Sequence, residues 1–219
     1  MPHRLYSIWL GSQDADFGSI TFGAVESPGD KYTGELIPTP IILSGPLFTG
    51  WQVTLAALSR TTTKDNSYPQ TELLLPANET LPVVVDSGSP NMYIPISLFD
   101  RIAAPYALAY YTNPEGNPTP YVPCALRTLI SPSTYFTFGF VDGAEIRVPL
   151  HETIYPFGLP ENMGEVVGDD GTQLCYLGIV PTAGNIFLLG TTFLRSAYAV
   201  FSGDEGKWTL SLAQAKYPS

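Results

Sequence analysis

Charged residues are scarce in this chain, and positive ones are the scarcer kind. Only 14% of its 219 residues are charged, and 10 Lys and Arg stand against 20 Asp and Glu, so the formal net charge is −10 at pH 7. An average soluble domain has about 25% charged residues. Because a negative surface repels phosphate groups, the composition excludes nucleic acid and anionic membranes as favoured partners.

Long apolar runs are also missing. The apolar stretch 36–48 is interrupted by Pro38, Pro40 and Pro46. No other stretch approaches the roughly 18 residues that a membrane-spanning helix needs. The apolar part of residues 1–10 is too short for a secretory signal peptide, and no small-residue cleavage site follows it. We therefore predict no membrane span, and no signal peptide within this chain.

Cysteine and histidine are nearly absent, which limits metal and redox chemistry. Cys124 and Cys175 are the only cysteines, and His3 and His151 are the only histidines. Zinc-binding motifs and Cys-rich scaffolds need more of these residues, so we predict no metal site and no cofactor. The residues alone leave the two cysteines either as buried free thiols or as one disulfide.

Glycine and proline, in contrast, are abundant. The chain has 20 Gly and 21 Pro, and 44% of its residues are hydrophobic. It is too often interrupted for a helical bundle and too apolar for a disordered protein. Short runs of strand-forming residues alternate with turns, and helical periodicity is confined to 96–104 and a segment near Thr191. We predict a single all-β unit with two short helices.

The predicted elements are short. The strands are 5–10, 19–25, 51–58, 81–85, 135–140, 145–148, 186–189, 197–201 and 208–212. The apolar face of the first helix is formed by Ile96, Phe99, Ile102 and Ala103. Segment 113–120 is rich in Pro, Asn and Gly, which predicts an exposed loop.

One segment joins a buried strand to chemically useful side chains. The apolar residues 83–85 run directly into Asp86, Ser87, Gly88 and Ser89, so a carboxylate would lie at the end of a rigid element. An isolated Asp-Ser-Gly is also a common Asx turn. A serine-protease interpretation is unfavourable, because that chemistry needs a histidine beside the serine and neither histidine lies in the expected context.

Other candidate groups have simpler interpretations. His151 is expected to be a surface residue. Tyr106, Tyr110 and Tyr111 could border a cleft, but we expect them to pack at the end of the first helix. The acidic pairs are expected to be solvated loop residues rather than glycosidase-like carboxylates. These pairs are Asp14/Asp16, Glu161/Glu165, Asp169/Asp170 and Asp204/Glu205.

Several blocks of sequence, taken in order, carry a family resemblance. They are 18–23 with 31–34, 51–55, 83–89, 188–190, 193–198 and 210–213. In this order they resemble the C-terminal lobe of pepsin-like aspartic endopeptidases of the secreted fungal type. The segment 83–89 matches that family's active-site signature, which is two apolar residues, Asp, Thr or Ser, Gly, and Thr or Ser. The resemblance extends from Tyr6 to Ala215.

The resemblance implies a role for each residue of the Asp-Ser-Gly-Ser segment. Asp86 would be one of two catalytic aspartates, which share one proton because both cannot ionise a few ångströms apart. Ser87 would bond the two active-site loops to each other. Gly88 would belong to the same loop, and Ser89 would lie where it can contact the substrate, a peptide or protein.

The resemblance also implies how the chain is organised. Residues 1–12 would be an inter-lobe strand, and 13–219 would be the C-terminal lobe. Cys124 and Cys175 are placed like the two cysteines of that lobe's disulfide. The parent protein would be secreted or held at the cell surface, and Asn78 begins the only glycosylation sequon that proline does not spoil. The partner that the chain lacks would be the N-terminal lobe.

The chain departs from the family in one decisive way. Asp86 is the only Asp followed by Ser or Thr and then Gly, so half of the catalytic dyad is present. Pro90 and Thr191 are smaller departures from the family's usual Ser or Thr and Asp. We predict an aspartic endopeptidase, cleaving between apolar residues at acidic pH, of which this chain carries only the second Asp. The alternatives are an inactive fragment or pseudoenzyme that binds peptide or partner only, and a homodimer pairing two Asp86 loops.

Overall fold

The computed structural model describes residues 4–15, 17–43, 50–63, 68–112, 116, 118–129, 134–203 and 207–217. Strands make up 48% of it and helical elements 12%, which confirms the all-β prediction. His3, Asp16, Asp204 and Glu205, which the sequence analysis considered, lie outside the described residues.

The described residues form strands, three short α-helices and two 3₁₀ turns. The strands are β1 Leu5–Trp9, β2 Ser19–Phe22, β3 Tyr32–Pro40, β4 Gln52–Thr62, β5 Gln70–Leu73, β6 Leu81–Val85, β7 Met92–Pro95, β8 Ala109–Thr112, β9 Pro118–Pro123, β10 Thr134–Phe140, β11 Glu145–Pro149, β12 Val166–Val167, β13 Gln173–Tyr176, β14 Ile179–Thr182, β15 Leu188–Leu189, β16 Ala197–Ser202 and β17 Thr209–Ala215. The helices are α1 Ile96–Ala103, α2 Ala125–Leu129 and α3 Thr191–Leu194, and the 3₁₀ turns are Leu150–Thr153 and Glu161–Met163.

The strands form three sheets. The largest has the order β11-β10-β4-β6-β15-β7-β14, with β5 also paired to β4. A five-stranded sheet has the order β2-β1-β16-β17-β3, and a four-stranded sheet, here called the small sheet, has the order β12-β13-β9-β8. Strand β15 pairs parallel with β6 and antiparallel with β7, so it lies between these two strands. Residues 86–91 connect the end of β6 to the start of β7.

The main core lies against the largest sheet. Its strands β6 and β15 are apolar throughout, as is typical of strands near the centre of a covered sheet. Phe193 of α3 has no exposed surface, and its ring meets Phe138 edge-on at 5.3 Å and Phe140 at 5.9 Å. The backbone N–H groups of Thr191 and Thr192 donate to the Ser89 and Pro90 carbonyls, so α3 also lies directly beside the segment that follows β6.

Comparison with the sequence predictions gives both confirmations and corrections. Both predicted helices are present, but Leu98 replaces Ile96 on the buried face of α1, and Ile96 is 49% exposed. The loop prediction for 113–120 was wrong at its end, because Pro118 begins β9 and Thr119 is buried. Cross-strand pairing of residues 118–120 with β8 overrides the turn-like composition there. Residues 113–115 and 117 lie outside the described residues.

Strands rich in proline or polar residues were missed. They include β3, β5, β7, β8, β9, β13 and β14, and helix α2 was missed as well. The disulfide implied by the resemblance is confirmed, since Cys124 and Cys175 are bonded and tie the end of β9 to β13. In the part of the chain that the structure describes, no helix is long and apolar enough to cross a membrane.

Candidate active site

Asp86 lies where the central strand β6 ends. Val83 and Val85 of this strand are 0% and 1% exposed, so the segment before Asp86 is held in the core. The backbone N–H of Asp86 donates to the Leu189 carbonyl at 3.1 Å, and that of Val85 donates to the Trp51 carbonyl at 3.0 Å. Two neighbouring strands therefore fix the position of the Asp86 backbone.

Residues 86–91, here called the Asp86 loop, begin with an Asx turn. The Gly88 N–H donates to Oδ1 of Asp86 at 2.9 Å. Asp86 is half-buried, whereas Ser87 and Gly88 are exposed. One carboxylate oxygen is thus oriented by the backbone, and Ser87 is free to meet molecules from outside. The Asx turn expected from the sequence is therefore present. This turn uses only Oδ1 of Asp86, so it does not conflict with a catalytic role for the carboxylate.

The side chain of Ser89 is buried, unlike those of its exposed neighbours Ser87 and Pro90. It is 8% exposed, and its hydroxyl donates to the Asn91 carbonyl at 3.3 Å. Its N–H donates to the Asp86 carbonyl at 3.4 Å. The hydroxyl therefore closes the loop from inside, and the substrate contact expected of Ser89 stays a prediction.

Gly190 forms the floor of the Asp86 loop. A Cβ at this position would lie 2.3 Å from the carbonyl oxygens of both Ser89 and Asn91, closer than any real side chain approaches. The next residue, Thr191, donates its N–H to the Ser89 carbonyl at 2.7 Å. Glycine is required here by close approach of two backbones, which explains the apolar-apolar-Gly block at 188–190.

The Pro90 carbonyl is the second anchor of the loop. The Thr192 N–H donates to it at 3.0 Å, and the hydroxyls of Thr191, Thr192 and Tyr155 lie 3.1, 2.8 and 3.2 Å from it. Pro90 itself has no N–H to donate, so the loop is held here through its acceptor alone. Sequence reasoning missed Tyr155 and Thr192, because neither lies near Asp86 in sequence or in a recognisable motif.

An open cleft of about 840 Å³ adjoins the Asp86 loop. It lies between Pro90, Asn91 and Tyr93 on one side and α1, the small sheet and Glu161–Met163 on the other. Tyr110 lines this cleft and is 51% exposed. Of the two alternatives for Tyr110, the structure therefore bears out the one in which it borders a cleft, and α1 lines the same cleft. Tyr106, in contrast, lies against the Arg60 guanidinium at 5.9 Å, and Tyr111 meets Tyr121 edge-on.

Two tyrosines that line the cleft, Tyr110 and Tyr176, have raised pKa values. Burial is the main cause that raises the pKa of Tyr110, and the negative charge of Asp100 raises it further. Burial also raises the pKa of Tyr176, with Tyr93 and Tyr155 adding to the effect. Both phenols therefore stay protonated and uncharged across the acidic and neutral range.

The other candidates are structural. His151 is half-buried, and its Nε2 lies 3.2 Å from the fully buried carboxylate of Glu152, which also accepts the Gln13 N–H. Asp14 pairs with Arg127 at 2.6 Å, and Asp170 accepts the Thr172 N–H. Among the described residues, no group of three or more His, Cys, Asp and Glu could hold a metal ion.

The fold and this loop define a class of protein. It is a β-sheet lobe that presents one aspartate at the end of a buried strand, on a loop packed over a glycine. The family model "Eukaryotic aspartyl protease" matches residues 1–215. The chain belongs to this family.

Curated relatives are fungal. The chain is 32% identical to a probable aspartic-type endopeptidase opsB of Aspergillus oryzae over 98% of its own length and 40% of the relative's. It is 31% identical to the aspartic proteinase yapsin-3 of Saccharomyces cerevisiae, covering 97% of this chain and 37% of that one. Similarity to secreted aspartic protease 7 of Candida albicans is 27% over 97% of this chain and 36% of that one. The chain therefore spans about two fifths of the length of the relatives that it matches.

A solved structure shares the fold. The crystal structure of the aspartic proteinase from Irpex lacteus superimposes with a TM-score of 0.67 and 20% sequence identity. The match covers 99% of this chain and 58% of that protein. One part of a larger aspartic proteinase thus has the architecture of this whole chain.

Proposed function

We propose that this chain is the C-terminal lobe of an aspartic endopeptidase and that Asp86 is one of its two catalytic aspartates. The observation that carries the proposal is the Asp86 loop, in which a half-buried carboxylate is held at the end of β6 and oriented by the Gly88 N–H. Family membership supports the same role. In this proposal residues 13–219 form the lobe and 1–12 the strand that enters it.

The chemistry requires a second carboxylate. Two aspartates that share one proton divide the work, since the ionised one takes a proton from a water and the protonated one donates to the peptide carbonyl. Asp86 is the only Asp of this chain in an Asp-Ser/Thr-Gly context. We therefore propose that the second aspartate comes from an N-terminal lobe, and that Ser87, exposed beside Asp86, bonds to that lobe's loop.

The substrate in this proposal is a peptide that crosses the Asp86 loop. The cleft beside Pro90 and Asn91 has the size of a ligand site, which is typically 300–1,000 Å³. Its walls are largely apolar and aromatic, and a peptide chain could lay side chains into it. Cleavage at acidic pH is expected because a shared proton needs at least one protonated carboxyl group.

The experiment supplies the missing lobe. The N-terminal lobe that the proposal assigns to the Aspergillus oryzae relative is joined ahead of this chain, and cleavage of a quenched fluorescent peptide is followed from pH 3 to pH 6. Asp86→Asn should lower the rate by roughly 10³-fold or more. Asparagine keeps an Oδ1 for the Gly88 N–H, so the loop geometry is retained.

The matched control is Asp142→Asn in the exposed turn after β10. Asp142 has a φ of 76°, which asparagine also tolerates, so its activity should be unchanged. Equal rates for the Asp86→Asn variant and the unchanged protein would overturn the proposal. A folded, monodisperse fusion that binds peptide without cleaving it would favour the alternative of an inactive binding module.

We also propose that the parent protein is secreted or lies at the cell surface. The Cys124–Cys175 disulfide supports this, because such bonds persist in oxidising compartments. One relative is named a secreted aspartic protease. Expression of the full-length parent in its native host, followed by detection in medium, cell wall and cytosol fractions, tests the proposal. Recovery only from the cytosol would overturn it.

A further inference from the structure

Of the four donors around the Pro90 carbonyl, one comes from a distant part of the fold. The N–H and hydroxyl of Thr192 and the hydroxyl of Thr191 all belong to α3, which follows directly on the glycine floor of the loop. The fourth is the Tyr155 hydroxyl, which lies 3.2 Å from the carbonyl and 65 positions from Pro90 in sequence. A carbonyl oxygen has two lone pairs, so these donors share one acceptor. Tyr155 therefore ties the Asp86 loop to a second region of the molecule.

The phenol of Tyr155 is itself held firmly. Its backbone N–H donates to the Tyr176 carbonyl at 2.9 Å, and the centres of the two rings lie 5.4 Å apart. Both rings are buried in the cluster of the small sheet, together with Tyr121 and Leu174. The disulfide ties strand β13, which carries Tyr176, to the end of β9. A hydroxyl whose ring and backbone are fixed in this way can orient the group to which it bonds.

A glycine provides the space in which the side chains of Tyr155 and Thr192 meet. A Cβ on Gly178 would lie 2.5 Å from Oγ1 of Thr192 and 2.9 Å from Cε2 of Tyr155. The two hydroxyl oxygens lie 3.5 Å apart. The Gly178 carbonyl also accepts the N–H of Met92, the first residue after the loop, at 2.8 Å. Three residues from three separate segments thus hold the end of the Asp86 loop.

The anchored end and Asp86 belong to one short turn. The Ser89 N–H donates to the Asp86 carbonyl at 3.4 Å, and the Ser89 hydroxyl donates to the Asn91 carbonyl at 3.3 Å. A movement at Pro90 is therefore passed through Ser89 to the residue that carries the carboxylate. Such movements matter, because a misplacement of about 1 Å at a reacting group can lower a rate by up to about 10²-fold.

We propose that Tyr155 is a positioning residue for the Asp86 carboxylate, and that it acts through the Pro90 carbonyl. Thr192 and Gly178 complete this anchor. Pro90 has no N–H, so its carbonyl is the backbone group through which the loop is held at this point. The inference rests on the proposed function in taking Asp86 as a catalytic aspartate. It goes beyond that function because the Tyr155 hydroxyl acts four residues away from Asp86, from outside the Asp-Ser-Gly-Ser segment.

The first experiment follows the loop by NMR of this chain. In ¹H–¹⁵N spectra the amide signal of Gly88 reports its hydrogen bond to Oδ1 of Asp86. Tyr155→Phe removes one hydroxyl and keeps the ring, and it should shift the Gly88 signal. Tyr111→Phe makes the same change at a ring packed against the same cluster, and it should leave the Gly88 signal in place. A general loss of stability does not move the signals of the folded state, so this measurement is specific to the loop.

The second experiment measures peptide cleavage by the two-lobed fusion. Tyr155→Phe should lower kcat about fivefold and change KM by less than about twofold, because the hydroxyl orients the carboxylate and does not bind the peptide. Thr192→Val should lower kcat only about twofold, since the backbone N–H of residue 192 still donates to the Pro90 carbonyl. Tyr111→Phe is the matched control and should leave kcat and KM unchanged.

Three results would overturn the inference. They are a Gly88 signal that stays in place in Tyr155→Phe, a kcat of that variant equal to that of the unchanged fusion, and a raised KM with an unchanged kcat. If Asp86→Asn abolishes cleavage while Tyr155→Phe has no effect on it, the proposed function stands and only the positioning role is refuted. If Asp86→Asn cleaves as fast as the unchanged fusion, the proposed function fails, whatever the Gly88 signal shows about the link between Tyr155 and the loop.

Discussion

The Asp86 loop and the small sheet are held in different ways. The loop is fixed by backbone hydrogen bonds and by the close approach of Gly190, without any covalent tie. The small sheet packs around its own cluster, which consists of Tyr121, Tyr155, Leu174 and Tyr176. The disulfide joins Cys124, directly after β9, to Cys175 in the neighbouring strand β13. A loop bordered by a large core can rely on packing, whereas a sheet with few buried side chains gains more from a covalent link.

Of the changes that test this comparison, removing the disulfide should lower the free energy of unfolding most. Changing Cys124 and Cys175 together to Ser opens a link between residues 51 positions apart. The free energy of unfolding should fall by about 4 kcal/mol, because the unfolded chain gains freedom. Urea unfolding followed by tryptophan fluorescence measures this. A loss under 1 kcal/mol would show that the small sheet holds itself by packing, as the Asp86 loop does.

Gly190→Ala should have the next largest effect. Its Cβ would collide with the carbonyl oxygens of Ser89 and Asn91, and these belong to backbone that cannot move aside easily. We expect a loss of about 3 kcal/mol in unfolding free energy. The control is Gly184→Ala, whose Cβ would meet only the Thr182 hydroxyl at 3.3 Å. Equal losses for both variants would contradict the tight floor described for the loop.

Tyr155→Phe should weaken a side chain that links both regions. Its ring belongs to the cluster of the small sheet, and its hydroxyl lies 3.2 Å from the Pro90 carbonyl of the Asp86 loop. We expect a loss of about 1 kcal/mol, since Thr192 still donates to that carbonyl. Tyr68→Phe, at a residue 93% exposed, is the control and should leave the melting temperature unchanged. A loss above 3 kcal/mol would mean that Tyr155 alone holds the loop.

Asn78→Gln should have the smallest effect on folding. Asn78 lies in an exposed turn outside both regions, so the unfolding free energy should change by less than about 0.5 kcal/mol. Expressed through a secretory pathway, the unchanged chain should carry one N-linked glycan that the variant lacks. Intact-mass spectrometry measures this difference. Identical masses would show that the sequon is not used.

The confirmed predictions share a local origin. Strands such as β6 and β16 are runs of apolar residues whose pattern identifies them without neighbours, and α1 and α3 were placed within a residue or two. The strands that were missed contain prolines or polar residues, as β9 does with Pro118, Pro120 and Pro123. Their conformation depends on partners far away in sequence, so local propensity predicted loops or nothing.

The candidate site divides in the same way. Asp86, Ser87 and Gly88 follow an apolar strand directly, so the sequence alone placed a carboxylate at a strand end. Tyr155 and Thr192 carry no local signal, because their contacts with the Asp86 loop come from segments that folding brings to it. The sequence also favoured packing of Tyr110 at the end of a helix, whereas Tyr110 belongs to β8 and lines the cleft.

The sequence by itself determined the fold class, the Asp-Ser-Gly turn at the end of a buried strand and the resemblance to one lobe of an aspartic endopeptidase. These depend on short patterns of apolar residues, turns and motifs that few neighbouring residues specify. Only the tertiary structure decided which way Ser89 points, why position 190 must be glycine, and that the hydroxyls of Tyr155 and Thr192 reach the Pro90 carbonyl. Such features arise where backbones and side chains from distant segments pack to atomic contact, and no local pattern encodes that contact.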